Sequence, residues 1–304
     1  MLDGLDATSH WSRISALETD HAAVHWLRGR RYVDDGTVTT TAAVTSGVPA
    51  ALHLVAELAG PDEAQRVANL HPELRWTPTQ TTTIPEDHFA VHDWPVGLNY
   101  VMPWFRPTVG IALEEGVGEL DATAAFEVYS QSAAARTVAL AGSDTVRTRH
   151  GLVLLTTSFP HATGLSRVVV PGAGTADAVD PRLRAWADEQ RLSLEPLTGP
   201  PGPDGSIGGG GFSAALQGLS NHSDAATTSA TAKMIGYPTS KLDLGNQPRS
   251  LRPVLLGIAS LTLSILVGLA PAFLARRWHR RSLRRTNASA AVSLSDPEAV
   301  KATL

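Results

Sequence analysis

Apolar and polar positions along the chain fall into two stretches of alternating strand and helix patterns, separated by an irregular connection. Near the N-terminus, DATSHW (6–11) and GTVTTTAAV (36–44) are short runs rich in β-branched or small residues and bounded by Gly and Asp turns, which predicts strands. VPAALHLVAELA (48–59) reads as a helix that closes on Gly60, and Pro61 opens a second helix over PDEAQRVANL (61–70). Residues 72–106 are rich in Thr and Pro and lack a clear period, yet Trp94, Tyr100, Trp104 and Phe105 make them too apolar for a solvated linker. They are expected to pack on a domain or to lie at a membrane interface.

From Thr108 the alternation returns. TVGIAL (108–113), RTVALAG (136–142) and SRVVV (166–170) predict strands, RHGLVLLTTS (149–158) an extended stretch, and the residues from Gly118 to Ser130 a helix. Asp180 and Pro181 form an N-cap and first-turn pair for a helix over PRLRAWADEQ (181–190). Strands alternating with helices predict an α/β fold, a doubly wound, mainly parallel sheet of flavodoxin-like type. A Gly/Pro-rich linker (198–211) and a helical segment (212–236) follow.

One segment stands apart. Residues 253–275 carry no charge, and a helix of that length spans roughly 30 Å of hydrocarbon. It ends at Arg276 and Arg277, with Trp278 at the boundary and Arg280, Arg281, Arg284 and Arg285 beyond, as a stop-transfer cluster would. A single transmembrane helix is therefore expected, with the lipid bilayer as partner and the cell membrane as location. Only Arg249 and Arg252 flank its other side, so the charge asymmetry predicts a cytoplasmic C-terminus. Ser260, Ser264, Gly268 and Ala272 recur on one face in a small-xxx-small pattern, through which two copies could pack as a homodimer. Residues 1–30 contain no apolar signal region, so a large N-terminal part outside the cell would call for an upstream segment. The organisation expected is thus 1–71, 72–106, 107–197, linker 198–211, helical 212–236, transmembrane 253–275 and a disordered tail 286–304.

Composition narrows the chemistry. A hydrophobic content of 43% in 304 residues is ample for a core, while a net charge of -4 gives no basic field for nucleic acid, and none is expected as a partner. There is no cysteine, which excludes disulfides, thiolate metal sites and a cysteine nucleophile. No cofactor is expected.

Two stretches resemble the DJ-1/PfpI family, the class I glutamine amidotransferase-like fold, in inverted order. LDGLDATSHW with RYVDDGTVTTTAAVTSGVPAALHLVAELAG is similar to the C-terminal half of such a domain, especially as it occurs in regulators that join this fold to an AraC-type DNA-binding domain. VGIALEEGVGELDATAAFEVYS, ARTVALAG, RTRHGLVLL and RVVVPGAG resemble the N-terminal half. Together they cover about half of the chain, and neither includes the sharp turn that carries the family's nucleophilic cysteine. The resemblance implies an incomplete domain, whose other half stands upstream, or a permuted one, in which strands near Thr8 and Thr40 pair beside those near Ile111 and Val169.

The candidate site residues follow from that resemblance. His10 matches the family's histidine, an imidazole able to take a proton from a thiol that this chain lacks. Asp121 matches the acidic residue beside the nucleophile, and otherwise reads as a first-turn acid favoured by the helix dipole. Gly172 and Gly174 match the backbone-donor turn that could face an oxyanion or ligand, and otherwise are plain turn glycines. Independently, His88 and His92, flanked by Asp87 and Asp93, would share a helical face and bind zinc, but Pro85 and the irregular context favour a polar loop. Ser46–Gly47 lacks a matched base, and GGGG (208–211) lacks the Lys-Ser/Thr of a phosphate loop.

The leading expectation is a membrane-anchored, non-catalytic DJ-1/PfpI-like domain in ligand sensing or protein interaction. The first alternative is a fragment of a hydrolase, amidase or glyoxalase-like enzyme whose cysteine lies upstream. The second is a regulator related to the AraC-type factors, although no helix-turn-helix pair follows.

Overall fold

The computed structural model describes residues 1–70, 76–101, 103–173, 175–197, 211–239, 242, 254–255, 257–269 and 271. The chain divides into two units, Met1–Ser250 and Leu251–Leu304.

The first unit begins with short elements. Strand β1 (Asp6–Ala7) leads to helix α1 (Trp11–Asp20), which His10 caps by accepting from the Ser12 amide. Strand β2 (His25–Trp26) returns parallel to β1. β3 (Tyr32–Asp34) and β4 (Thr39–Thr41) form an antiparallel hairpin, with Gly36 at φ +75° and its amide donating to Asp34 Oδ1 at 2.9 Å. The strands expected over 6–11 and 36–44 are thus much shorter, because His10 and Ser9 turn the chain into a helix cap and Ala42–Val44 turn it toward α2. Helix α2 (Gly47–Ala59) ends at Gly60, and α3 (Pro61–Ala68) starts with Pro61 in its first turn. Leu52, Ala64, Ala68 and Trp76 form a small separate core between them. Within the Thr/Pro-rich connection lies a helix that the pattern does not reveal, α4 (Trp94–Val101).

The second half of this unit builds the sheet. In chain order come β5 (Thr108–Ala112), helix α5 (Glu119–Gln131), β6 (Arg136–Ala141), the antiparallel hairpin β7 (Thr145–Arg147) and β8 (Val153–Leu155), then β9 (Thr157–Ser158). β10 (Arg167–Pro171), α6 (Pro181–Glu189), β11 (Ser193–Leu197), α7 (Gly211–Ser220) and α8 (Ala225–Ile235) complete it. Five strands pair in parallel in the order β11-β10-β5-β6-β9. Strand alternation decides what each face meets. Val109, Ile111 and Val169 point to α5, α7 and α8, whereas Ala112, Val168 and Val170 point to Leu183, Trp186 and Ala187 of α6. Helices cover both faces, so the sheet is doubly wound. Val109, Ile111, Val168, Val169 and Val170 are all fully buried, and each such side chain contributes about 1.5–3 kcal/mol of transfer free energy.

The permuted pairing suggested by the sequence is not what joins the two halves. Among the described residues, β1 pairs with β2 and β3 with β4, and none enters the five-stranded sheet. The N-terminal elements instead dock on the C-terminal end of α8, using carbonyl oxygens of its last turn and cap. His10 Nε2 meets Met234 O at 2.8 Å, Trp11 Nε1 donates to Lys233 O at 3.2 Å, and Thr45 Oγ1 donates to Gly236 O at 2.7 Å.

The second unit contradicts the expectation of a transmembrane helix over 253–275. Among the described residues no helix is long and apolar enough to cross a membrane. The described residues therefore give the expected membrane anchor no support. Ser260, Ser264 and Gly268 are helical, with Ser264 Oγ donating to Ser260 O at 2.9 Å, while Ala272 and the tail 286–304 lie outside the described residues.

Candidate functional site

In a doubly wound sheet, ligands are expected beyond the carboxyl ends of the strands where the strand order reverses. Here the reversal falls between β5 and β10. The turn after β5 carries Glu114, whose Oε1 accepts from the Asp180 amide at 2.6 Å and so ties this strand end to the cap of α6. Asp180 itself caps α6 by accepting from the Arg182 amide at 2.8 Å and pairs with the Arg182 guanidinium at 2.9 Å. Hydrogen bonding to Arg182 holds the Asp180 carboxyl below its ordinary range. A crevice of about 220 Å³ opens beside them, lined also by Gly142, Ser143 and Phe159.

Asp121, in the first turn of α5, is enclosed by three glycines from three segments. A Cβ on Gly118 would lie 2.9 Å from Asp121 Oδ2, and one on Gly172 would lie 3.3 Å from the same oxygen. The third, Gly211, opens α7 at φ +46° and donates its amide to Asp121 Oδ1 at 3.1 Å. The carboxylate thus gathers the turns after β5 and β10 and the start of α7 around one point, held by a backbone N–H and by the positive end of α5. Gly174 lies outside the described residues.

His10 is engaged elsewhere. Its Nδ1 meets Ser12 Oγ at 2.8 Å while Nε2 faces the Met234 carbonyl, so the Nε2–H tautomer satisfies both contacts. As arranged, it acts as a helix cap and a pin to α8. His88 and His92 do not share a helical face, because residues 85–90 are irregular and Val91–Asp93 is a single 3-10 turn. The Asp93 carboxylate between them and α4 is buried and committed to Lys233 Nζ at 2.7 Å and to the Ala90 amide at 2.8 Å. Among the described residues no three His, Asp or Glu side chains gather as metal ligands.

Two polar groupings escaped the reading of the sequence. Glu119 accepts from His150 through both the amide (2.8 Å) and Nδ1 (2.7 Å), and hydrogen bonds from Thr148 and His150 hold its carboxyl at about 2. Beneath α5, the Arg167 guanidinium lies over the Tyr129 ring at 5.6 Å and approaches Glu195 at 3.8 Å, while burial pushes the Tyr129 hydroxyl up to about 12. Both pair residues distant in sequence, and no motif announces them.

These features define a doubly wound α/β protein with a crevice beyond the ends of β5 and β6, beside the cap of α6. No protein-family model and no curated protein matches the chain. Among solved structures it is similar to an AraC family transcriptional regulator from Pseudomonas putida, with 16% identity and a TM-score of 0.33 over 42% of this chain and 98% of that one. It is also similar to oxidized DJ-1 of Toxoplasma gondii, with 11% identity and a TM-score of 0.30 over 43% of this chain and 98% of that one. A two-domain protein with DJ-1/ThiJ/PfpI-like and ferritin-like domains from Anabaena variabilis shares 14% identity at a TM-score of 0.27, over 47% of this chain and 52% of that one. Likeness at these levels carries no function, which has to come from the residues of this chain.

Proposed function

We propose that this chain is a non-catalytic α/β domain of DJ-1/PfpI-like type that acts by binding, in ligand sensing or protein interaction. The observation that carries the reading is the Gly211 amide on Asp121 Oδ1 at 3.1 Å. The resemblance puts a nucleophile beside this carboxylate, and the described group that bonds it is a backbone amide of a glycine, which has no side chain to attack with. The chain has no cysteine to supply a thiolate from elsewhere. His10, the base implied by the resemblance, spends both ring nitrogens on Ser12 and Met234. The domain is thus read as one without the nucleophile elbow, retaining the crevice but not the reacting group.

The test is turnover of methylglyoxal and of a peptide amide by the purified full chain. No turnover above a buffer blank is expected from the wild type or from His10→Ala. Turnover by the wild type that His10→Ala abolishes would refute the proposal.

A further inference from the structure

A second cavity lies away from the sheet, where the N-terminal elements meet the end of α8. It measures about 420 Å³, within the range of sites for small molecules. Trp11, Ile14, Ala43, Ile84 and Tyr237 supply apolar wall. Three arginines also line it, and they differ in what they hold. Arg28 is tied to Glu18 at 2.6 Å, and Arg30 donates to Thr83 Oγ1 at 2.8 Å. Arg31 donates its amide to Thr82 O, but its guanidinium has no hydrogen-bond or ion-pair partner among the described residues, and its Nε is buried without one.

The Arg31 side chain is half-buried, and its buried Nε–H is costly to leave without a partner. Burial lowers the Arg31 pKa, and the group that acts against this is the neighbouring Tyr32 hydroxyl, not a carboxylate. The carboxylates in the lining are occupied otherwise: Glu86 lies within the field of Arg28, and Asp87 lies in the fields of Lys233 and His88, with burial raising its pKa. Neither serves Arg31. A guanidinium fork offers paired donors that match a carboxylate or a phosphate, while the aromatic and aliphatic walls call for an apolar body.

We infer that this cavity binds a small organic anion, an oxyanion head on Arg31 with an aromatic or aliphatic body against Trp11, Ile84 and Tyr237. The inference rests on the sensing reading and gives it a place and a ligand class. It is distinct from the crevice beside Glu114 and Asp180, where the Arg182 guanidinium is already paired with Asp180.

The experiment is isothermal titration of the full chain with benzoate, phenyl phosphate and benzamide, which share a ring and differ in head group. Saturable binding of benzoate or phenyl phosphate is expected, at least tenfold tighter than benzamide, and the tighter of the two identifies the head group as carboxylate or phosphate. Arg31→Met keeps the aliphatic length and should weaken the preferred anion at least tenfold while leaving benzamide unchanged. The inference is overturned if neither anion binds, or if wild type binds benzamide as tightly as the anions, a comparison that needs no variant to fold. It is equally overturned if Arg31→Met binds the anion as wild type does. Failure here with turnover still absent removes the ligand class and leaves protein interaction, whereas turnover removes the non-catalytic reading and leaves the titration to stand.

Discussion

Lys233 Nζ and Asp93 Oδ2 meet at 2.7 Å, with only 11% and 3% of their side chains exposed, and this pair joins the Thr/Pro-rich connection to α8. Lys233 Nζ also donates to the His88 carbonyl at 3.0 Å. Burial by itself would raise the Asp93 carboxyl, but the Lys233 and Ala90 hydrogen bonds bring it below its ordinary value. Removing one partner strands the other charge, so Lys233→Met is expected to cost about 3–5 kcal/mol in urea denaturation. Asp93→Asn with Lys233→Met together should cost less than the sum of the two single changes. Since the folded pKa of Asp93 is depressed, its contribution is complete above the ordinary carboxylate pKa and lost as pH falls through the folded one.

Glu119 gives a second acid-side expectation. Its carboxyl lies at about 2 against an ordinary 4.5, held by Thr148 and His150. The stability linked to it is present above 4.5 and fades as pH falls toward 2. Carbon-13 NMR of the carboxyl should show a midpoint near 2 in wild type and a return toward 4.5 when Thr148→Val and His150→Ala remove the donors.

The glycine cage around Asp121 predicts a coupling. Gly118 has an ordinary φ of -64°, so Gly118→Ala introduces no backbone strain and its cost comes from the 2.9 Å approach to Asp121 Oδ2. Gly172 adds a left-handed φ of +76°, where a non-glycine residue costs roughly 1–2 kcal/mol on top of the crowding. Gly164→Ala, with φ +71° and nothing within 4 Å, isolates the backbone part. In chemical denaturation Gly172→Ala should therefore cost more than Gly164→Ala, and the cost of Gly118→Ala should shrink in an Asp121→Ala background. Equal costs in both backgrounds would remove the cage.

His10→Ala should destabilise the fold by about 0.5–2 kcal/mol, the usual loss for a helix cap, with some addition from the lost bond to Met234 O. His10→Asn retains an N-capping side chain and should recover part of that cost, as a thermal melt of both variants would show.

What the sequence reveals of this fold depends on how local the cause is. β5, β6 and β10 sit in the sheet interior, and their apolar runs with glycine turns are sufficient to find them. β11 escapes because Glu195 and Pro196 interrupt the pattern. Proline is tolerated there since β11 is the edge strand, a fact only the sheet order supplies. α4 is hidden by its Pro95 and by partners far away: Asn99 Nδ2 donates to Ser132 O and Tyr100 OH to Gln131 O. Trp94 and Trp104 remain 66% exposed, whereas Trp76 of the same stretch is buried against α2 and α3. At the site, Asp121 is found only through a family resemblance, and its bond to Gly211 spans 90 residues of sequence. The uncharged run at 253–275 shows the opposite failure: its composition reads as a span, yet among the described residues no helix is long and apolar enough to cross a membrane.

The docking of the N-terminal elements on carbonyl oxygens of residues 233, 234 and 236 has a consequence for evolution and for exchange. The three donors read where a helix stops, not which side chains it bears, so Lys233 O, Met234 O and Gly236 O would accept equally from any residue types that end the helix at that place. The surface is therefore tolerant of drift in side chains and intolerant of a helix one turn longer. If the end of α8 frays, the three bonds have no alternative acceptors in register and should open together, so the amides of β1 to β4 would share one protection factor set by a helix terminus more than 190 residues away in the chain.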